Sequence, residues 1–256
     1  MSEQSNFTDK KVLITGSSRG IGRATARLFA QAGAKVAVHY QNKAEAAYET
    51  LEQLHGQGHA MLQADLAQPE QVRQLVQQAH QQLGGLDVLV NNAGIFVPHP
   101  VDQMPYEEWL ATWQQTISVN LTGAAIASYT AAEFMRAAGG GKIVNVGSRG
   151  AFRGEAGQPA YGASKAGLHA LSQSLAQALG PYGITVHAVA PGFVETAMAR
   201  PWLQGEAGEA VKAQSPLNRV ATVEDVANAI LYLASPAAEF TTGCILDING
   251  ASYLRT

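Results

Sequence analysis

A tyrosine and a lysine stand four residues apart near the middle of the chain, in the stretch YGASK from Tyr161 to Lys165. On a helix this spacing places both side chains on one face. Such a pair could transfer protons, because a cation beside a phenol favours the phenolate and lowers its pKa from about 10. Taken alone, the pair fits an ordinary solvated contact better, so its interpretation depends on the residues around it.

A glycine-rich turn near the start of the chain indicates a possible ligand. The stretch TGSSRGIG, Thr15 to Gly22, separates an apolar run from an alanine-rich helix. Glycine permits close backbone approach, and the N–H groups at a helix start attract a pyrophosphate. This strand–turn–helix context favours a dinucleotide site over a tight connection without a ligand. The residues predicted to form it are Gly16, Ser17, Ser18, Arg19, Gly20, Ile21 and Gly22.

The end of the second predicted strand bears on which dinucleotide binds. NAD-selective sites usually carry a carboxylate here that accepts hydrogen bonds from the ribose, whereas no Asp or Glu occurs from Lys35 to Lys43. Arg19 and Lys43 could instead meet the extra phosphate of NADP, with Tyr40 beside them. NADP (as NADPH) is therefore the predicted cofactor, in preference to NAD.

Two further strand ends supply candidate contacts to the dinucleotide. Asp65 could accept a hydrogen bond from the adenine amino group, and a cap or turn before Pro69 is the alternative. The fourth apolar run leads into Asn-Asn-Ala-Gly, residues 91–94, where turn chemistry alone could also explain the residue types. Ligands of open α/β sheets bind at the carboxyl ends of the strands. The predicted contacts are Asp65, Leu66, Asn92, Ala93 and Gly94.

The hydrophobic pattern predicts the elements that would bring these residues together. Apolar runs rich in valine and isoleucine alternate with segments of helical period such as Gly22–Gln31, Gln41–His55 and Pro69–Leu83. This order predicts an α/β fold: a doubly wound, parallel, seven-stranded Rossmann sheet with helices on both faces, formed by residues 1–256 as a single domain. The predicted strands are Lys11–Thr15, Lys35–Tyr40, His59–Ala64, Leu86–Asn91, Lys142–Val146, Ile184–Ala190 and Cys244–Ile248.

Composition argues against several classes of function. The 256 residues carry a formal net charge of −3 without a long basic run, which disfavours nucleic acid as a partner. The single cysteine, Cys244, allows no internal disulfide framework, and no histidine–cysteine cluster has zinc-site spacing. The polar start lacks a signal peptide's apolar core, and no apolar run approaches the ~20 residues of a membrane span. We expect a cytoplasmic protein with neither a metal nor a membrane partner.

Two polar residues extend the set around the tyrosine. Ser148 leaves the carboxyl end of the fifth predicted strand, where substrates of such sheets bind. Asn120 is predicted to begin a helix, where capping is its alternative role. With these residues the chain resembles the classical short-chain dehydrogenase/reductase family from about Lys10 to Tyr253. The resemblance rests on the glycine turn, Asn-Asn-Ala-Gly, Pro191-Gly192, Thr196 and the tetrad Asn120, Ser148, Tyr161 and Lys165.

The resemblance implies hydride transfer between the nicotinamide and a carbonyl or alcohol. Tyr161 would then supply the proton, and Ser148 would hold the oxygen that receives it. Lys165 would bind the nicotinamide ribose and, together with the positive ring of the oxidised nicotinamide, lower the Tyr161 pKa toward neutrality. Asn120 would hold a water that links the lysine to solvent. Further implied cofactor contacts are Tyr161, Lys165, Pro191, Gly192, Val194 and Thr196.

The resemblance also implies a mobile lid over the substrate, at about residues 193–216. Its Met198, Trp202 and Leu203 could line an apolar pocket or fill the core of the lid. The loop before Tyr161 carries three charged residues that could be solvated or could contact a polar substrate: Arg149, Arg153 and Glu155.

The nearest subgroup is that of the β-ketoacyl-acyl-carrier-protein reductases, on the stretches ITVHAVAPGFVETAM and LDING. Those enzymes need basic residues to dock an acidic carrier. Where such residues are expected, this chain instead has Ser-Leu-Ala-Gln-Ala at 174–178 and a glycine-rich helix end at 139–141. A reductase of small carbonyls, or a dehydrogenase of alcohols, is therefore preferred over a fatty-acid synthesis enzyme. A dinucleotide-binding sensor or scaffold without catalysis is an alternative of another class.

Two long helical segments, Tyr106–Ser118 and the alanine-rich Leu121–Ala138, suggest assembly. Small residues permit close approach of helices, either to a second copy or to the chain's own sheet. A homo-oligomer, a tetramer or a dimer, is the expectation.

Overall fold

The computed structural model describes residues 6–255 and contains one seven-stranded parallel sheet. The first strand lies between the second and the fourth, so the crossovers reverse direction there and open a crevice at the carboxyl ends. The predicted doubly wound sheet is confirmed. The strands are β1 (Lys11–Ile14), β2 (Lys35–Tyr40), β3 (Ala60–Gln63), β4 (Val88–Asn91), β5 (Gly141–Val146), β6 (Ile184–Pro191) and β7 (Ile245–Ile248), in the spatial order β3-β2-β1-β4-β5-β6-β7.

Helices cover both faces of the sheet because successive strand residues point to opposite sides. In β1, Val12 and Ile14 join an apolar cluster with Phe29 and Ile230, whereas Leu13 belongs to a second cluster on the other face. None of the helices within residues 6–255 is both long and apolar enough to cross a membrane. The helices are α1 (Gly20–Gln31), α2 (Ala44–Glu52), α3 (Pro69–Leu83), α4 (Tyr106–Ile117), α5 (Gly123–Ala137), α6 (Pro159–Leu179), α7 (Gly205–Lys212) and α8 (Val223–Leu233).

The predicted break between the two assembly segments is wrong. Helices α4 and α5 are joined without interruption by a π-helical turn, Ser118–Thr122, and Asn120 lies within this turn rather than at a cap. Gly123 follows it, where a Cβ would lie 2.7 Å from the Leu66 carbonyl oxygen. Glycine at this position therefore allows the helix to approach the loop after β3 closely.

The alanines of α5 mainly serve the chain's own core. Ala124, Ala127 and Ala131 are buried, and the last two pack with α3 in the second apolar cluster. Tyr106 and Tyr129, on the same pair of helices, are 67% and 68% exposed. Packing within the chain's own core therefore explains most of the small-residue pattern, and the homo-oligomer stays a prediction.

Candidate active site

A cavity of about 620 Å³ lies at the carboxyl ends of the strands, across the reversal between β1 and β4. It brings together most of the residues predicted from the sequence to contact the cofactor. Those that line it are Gly16, Ser18, Arg19, Gly20, Ile21, Gly22, Tyr40, Lys43, Asp65, Leu66, Asn92, Ala93, Gly94, Ser148, Tyr161, Lys165, Pro191, Gly192, Val194 and Thr196. Ser17 and Asn120 are the predicted residues that do not.

The glycine turn fits the backbone of a dinucleotide. A Cβ at Gly22 would lie 2.4 Å from the Gly16 carbonyl oxygen, so only glycine leaves this space open. Gly16 has φ +65°, a conformation that glycine favours. Helix α1 begins without a side-chain cap and without an acidic residue in its first turn. Its positive end is therefore available to an anionic group at the cavity.

The turn is bonded to the end of β4 through Thr15. The Thr15 Oγ1 accepts hydrogen bonds from the backbone N–H groups of Asn92 and Ala93, each at 3.0 Å. The Asn92 side chain donates to the carbonyl oxygens of Thr15, at 2.8 Å, and Gly16, at 3.1 Å. Asn-Asn-Ala-Gly thus does more than turn the chain, because it holds the glycine turn in register with the neighbouring strand.

A histidine that sequence reasoning missed supports the same turn from β2. The backbone N–H of Gly16 donates to Nδ1 of His39 at 2.8 Å, and Nε2 lies 3.1 Å from the Ala64 carbonyl oxygen. Burial lowers the pKa of His39 to about 4, so the ring is neutral, with its proton on Nε2. The signal available in the sequence was a histidine inside an otherwise apolar strand.

Ser17 is a structural member of the turn rather than a residue facing the cavity. It is completely buried, its Oγ donates to the Ile14 carbonyl oxygen at 2.7 Å, and it accepts from the N–H of His39 at 2.9 Å. Ser17 was predicted among the cofactor contacts, and its side chain is instead used by the internal hydrogen bonds that the turn needs. A contact of Ser17 with the dinucleotide stays a prediction.

At the β2 end of the cavity, Arg19 and Lys43 are exposed, and neither belongs to an ion pair among the residues that the structure describes. Asp65, which follows the neighbouring strand β3 and lines the same cavity, accepts a hydrogen bond at Oδ1 from the N–H of Ala67 at 3.0 Å. Asp65 therefore both stabilises the turn before Pro69 and lines the cavity.

The reactive end of the cavity holds Tyr161, Ser148 and Lys165. Burial raises the pKa of Tyr161 above 10, the Ser148 hydroxyl opposes this rise, and the Glu155 carboxylate adds to it. The Lys165 Nζ donates to the Val146 carbonyl oxygen at 2.7 Å and lies 5.8 Å from the centre of the Tyr161 ring.

Burial lowers the pKa of Lys165 to about 8. The chain's own groups therefore keep Tyr161 protonated, and the expected lowering of its pKa is not produced by Lys165 alone. A protonated phenol at neutral pH is the form that an acid catalyst requires.

Asn120 holds the loop beside this site. Its Oδ1 accepts from the N–H of Ile95 at 2.8 Å, and its Nδ2 donates to the Ile95 carbonyl oxygen at 3.0 Å and to the Ser164 Oγ at 3.2 Å. A Cβ at Gly94 would lie 3.3 Å from Asn120 Oδ1 and 3.4 Å from Lys165 Nζ. Asn120 is thus a close neighbour of the lysine, while its role toward a water stays a prediction.

His99 is a second histidine that sequence reasoning missed. It is completely buried, its Nδ1 lies 2.7 Å from the Val97 carbonyl oxygen, and its Nε2 accepts from the backbone N–H of Ala160 at 3.0 Å. Ala160 is in the first turn of α6, directly before Tyr161. His99 therefore fixes the start of the helix that presents the tyrosine.

The end of β6 closes the cavity opposite the glycine turn. Val194 forms an isolated parallel bridge with Ala221, and the Thr196 Cγ2 lies 3.6 Å from where a Cβ on Gly20 would stand. The Pro191–Thr196 segment consequently faces the turn across the cavity, in the place predicted for contacts to the nicotinamide end.

Aromatic rings define the outer part of the reactive end. The Phe96 ring meets the Tyr161 ring edge-on at 4.8 Å and the Trp202 ring at 5.2 Å. Met198 and Trp202 line the cavity, as expected of pocket residues, whereas the Leu203 backbone packs against Gly208 and the residue does not line it. Phe96 was not found from the sequence, because nothing in the Gly94–Pro98 stretch indicates its contacts.

Arg149 lines the cavity, but it is held by neighbouring side chains rather than solvated. The residue is 4% exposed, and its Nη1 donates to Gln214 Oε1 at 3.0 Å and to Ser252 Oγ at 2.7 Å. Its guanidinium lies over the Phe193 ring at 5.4 Å, and burial lowers its pKa. Arg149 therefore joins the loop after β5 to the segment following α7 and to the C-terminal segment.

His169 provides a test of the packing beneath this site. It is 4% exposed, and neither ring nitrogen has a hydrogen-bond partner within residues 6–255. Burial, with a smaller effect of the Lys165 charge, lowers the pKa of His169 to about 4. The folded protein therefore binds a proton at His169 less readily than the unfolded chain does. The His169 contribution to stability is thus present above about pH 6.5 and is lost as the pH falls toward 4.

We expect His169→Leu to raise the free energy of unfolding by about 1 kcal/mol at pH 7, because it removes two unpaired buried polar atoms. The difference in the free energy of unfolding between the variant and the wild type should grow as the pH falls from 7 to 4. Urea unfolding at several pH values measures this difference. His55→Gln, at an exposed position, is the matched control for losing a histidine. A variant less stable than the wild type at every pH would contradict this account.

A dinucleotide turn and a tyrosine–lysine pair at the two ends of one cavity define a class of protein. They are typical of oxidoreductases that move a hydride between a nicotinamide dinucleotide and a carbonyl or secondary alcohol. Comparisons with known proteins give the family. A family model described as enoyl-(acyl carrier protein) reductase matches residues 16–251.

Two curated relatives cover nearly the whole chain. A cis-4-hydroxycyclohexanecarboxylate dehydrogenase of Sinomonas cyclohexanicum is 38% identical over 95% of this chain and 96% of its own. A 3-oxoacyl-[acyl-carrier-protein] reductase of Vibrio cholerae is 37% identical over 97% of this chain and 99% of its own.

Two solved structures have the same fold. A short-chain dehydrogenase of Burkholderia cenocepacia, in complex with NADP, matches with a TM-score of 0.87 and 35% identity, over 96% of this chain and 99% of that one. A dehydrogenase/reductase of Sinorhizobium meliloti matches with a TM-score of 0.89 and 33% identity, over 98% of both chains. The chain belongs to the short-chain dehydrogenase/reductase family, and it is a nicotinamide-dependent oxidoreductase of the carbonyl/alcohol class.

Proposed function

We propose that this chain reduces small carbonyl compounds with NADPH, or oxidises the corresponding secondary alcohols with NADP, with Tyr161 as the acid or base. The observation that carries the proposal is that Tyr161, Ser148 and Lys165 line one end of a cavity whose other end is the glycine turn.

Each residue has a distinct part in the proposed reaction. Bound NADPH would supply the hydride to the carbonyl carbon. Tyr161 gives its proton to the carbonyl oxygen as negative charge develops there, and Ser148 donates a hydrogen bond to the same oxygen. Lys165 would hold the nicotinamide ribose and provides a nearby positive charge. Asn120 supports the proton supply to Lys165 through a water. Val194 and Thr196 would hold the carboxamide of the nicotinamide and so select one orientation of the ring.

Two unpaired cations support the choice of NADP over NAD. Arg19 and Lys43 line the β2 end of the cavity, and neither is engaged in an ion pair within the described residues. The NADP complex of the Burkholderia relative is consistent with this choice. A phosphate placed between these side chains would gain charge-assisted hydrogen bonds that NAD cannot make.

We expect Arg19→Ala combined with Lys43→Ala to weaken NADPH binding about 10- to 100-fold while changing NADH binding less than about threefold. The dissociation constants can be measured by fluorescence titration. Arg27→Ala on the outer part of α1, outside the cavity lining, is the control. Equal losses for both dinucleotides, or tighter wild-type binding of NADH than of NADPH, would reverse the assignment.

The substrate is proposed to be a free small molecule rather than a carrier-bound acyl chain. Phe96, Met198 and Trp202 make an apolar outer pocket of a size suited to a small ring compound. The exposed positions Ser174, Gln177 and Ala178 of α6 carry no positive charge for an acidic carrier. The Vibrio relative favours 3-oxoacyl-carrier reduction as the second candidate.

A panel of ketones, ketoesters and alcohols with both dinucleotides tests the proposal. We expect NADPH consumption with simple ring ketones. We also expect that acetoacetyl-acyl-carrier protein is turned over no faster than acetoacetyl-N-acetylcysteamine. A large preference for the carrier thioester would establish the second candidate, and no turnover of any carbonyl would reject the proposed function.

We also propose that the chain acts as one cytoplasmic domain with a lid at about residues 193–216, assembled as a homo-oligomer, a tetramer or a dimer. The exposed Tyr106 and Tyr129 support an interface on α4 and α5. Sedimentation that detects only monomer at micromolar concentration would contradict the assembly.

A further inference from the structure

A carboxylate with no part in the proposed reaction lies at the substrate end of the cavity. Glu155, in the loop before α6, lines the cavity with its side chain 31% exposed. Its Oε1 lies 3.2 Å from Nε of Arg153, which does not line the cavity. The ion pair is therefore oriented with its negative member toward the substrate and its positive member outside.

The carboxylate stands close to the groups that would hold the reacting oxygen. A Cβ on Gly150 would lie 3.4 Å from Ser148 Oγ, 3.6 Å from Tyr161 Cε1 and 3.6 Å from Glu155 Cγ. The three side chains thus converge on one small region. The Glu155 charge is felt there, since it contributes to the raised pKa of Tyr161.

The other charged groups near this end are otherwise engaged. Arg149 also lines the cavity, but its Nη1 is bonded to Gln214 and Ser252 and the residue is buried. The Nζ of Lys165 is bonded to the Val146 carbonyl oxygen. Glu155, with its side chain 31% exposed, is therefore the most accessible of the three charged groups that line this end, since Arg149 and Lys165 are 4% and 3% exposed. A substituent that extends from the reacting carbon toward the loop would meet Glu155 first, with the rings of Phe96 and Trp202 beside it.

We propose that Glu155 sets the charge preference of the substrate site, so that carbonyl compounds with an ammonium group are favoured and those with a carboxylate are disfavoured. The inference rests on the proposed carbonyl reduction. A carboxylate attracts a cation across this distance and repels an anion, and aromatic faces add attraction for a cation only.

Three ring ketones of similar size separate charge from shape: 4-aminocyclohexanone, cyclohexanone and 4-oxocyclohexanecarboxylate, each assayed with NADPH at pH 7. In Glu155→Gln we expect kcat/KM to fall about fivefold to tenfold for the amine and to rise by a similar factor for the carboxylate, with cyclohexanone changing less than about twofold. Arg153→Gln, which leaves the carboxylate without its partner, should widen the preference for the amine.

Glu209→Gln is the matched control, because Glu209 is paired with Lys212 at 2.8 Å on α7 and does not line the cavity. An equal change for all three ketones in Glu155→Gln, or a change that Glu209→Gln reproduces, would overturn the charge preference. Failure of the wild type to reduce any of the three ketones would instead count against the proposed function, so the two failures are distinguishable.

Discussion

Tyr161→Phe should lower kcat/KM for carbonyl reduction by at least about 100-fold while leaving NADPH binding within about twofold. The phenol hydroxyl is the proton donor in the proposed reaction, and positioned acid catalysis typically contributes a factor of 10² to 10⁴. The ring contact with Phe96 at 4.8 Å survives the substitution, so the cavity keeps its shape. Steady-state kinetics with cyclohexanone and fluorescence titration with NADPH measure the two quantities.

Tyr253→Phe is the control for loss of a phenol. Its hydroxyl donates to the Phe152 carbonyl oxygen at 3.0 Å, and Tyr253 does not line the cavity. Turnover of Tyr161→Phe near the wild-type rate would remove Tyr161 from the mechanism. Loss of both dinucleotide binding and turnover in Tyr161→Phe would indicate a structural role for Tyr161 instead.

Gly22→Ala should abolish tight dinucleotide binding and destabilise the fold. The new Cβ would lie 2.4 Å from the Gly16 carbonyl oxygen and 2.8 Å from the Ser17 Cα, both parts of the backbone, so the turn must open. Overpacking of this kind costs about 1–3 kcal/mol of stability. We expect the NADPH dissociation constant to rise at least about tenfold, measured by fluorescence titration. The denaturant midpoint of the same sample measures the change in stability.

Gly180→Ala is the matched control. Gly180 follows α6 at φ −50° and ψ −45°, and a Cβ there would meet nothing within 4 Å. Gly180→Ala should leave the free energy of unfolding unchanged or raise it by up to about 1 kcal/mol, because alanine loses less backbone entropy on folding than glycine. Wild-type stability and binding in Gly22→Ala would show that the close packing of the turn has no energetic importance.

The sequence pattern was sufficient where the determining interactions are local. Buried parallel strands are continuous apolar runs, and the predicted bounds of β2 and α3 agree with the structure to the residue. The glycine turn and the Tyr161–Lys165 spacing were likewise readable, because each depends on neighbours within a few residues. The cavity positions of these groups then followed from the rule that parallel strands end at one edge.

Contacts between distant parts of the chain could not be predicted in this way. His39 and His99 act by hydrogen bonds to Gly16 and Ala160, which lie 23 and 61 residues away. Arg149 is buried because its partners come from residues near 214 and 252. In each case, the residue type alone fits an ordinary solvated or core side chain, and only tertiary packing determines its role.

The position of Asn120 illustrates a different reason. A π-helical turn differs from a regular α-helical turn by one inserted residue, and neither propensity nor periodicity shows whether the helix continues through it or ends there. Packing of Gly123 against the Leu66 carbonyl, and of the Asn120 amide against Ile95, favours the wider turn.

Transfer of deuterium from labelled NADPH to a ketone tests the central claim most directly. The protein is incubated with cyclohexanone and with NADPH that carries deuterium at C4 of the nicotinamide, in either the R or the S position, and the alcohol is examined by mass spectrometry. We predict one deuterium on the carbinol carbon from one of the two labelled forms and none from the other, because Val194 and Thr196 are proposed to hold the nicotinamide in one orientation. Alcohol without deuterium from either form, or equal label from both, would contradict the account.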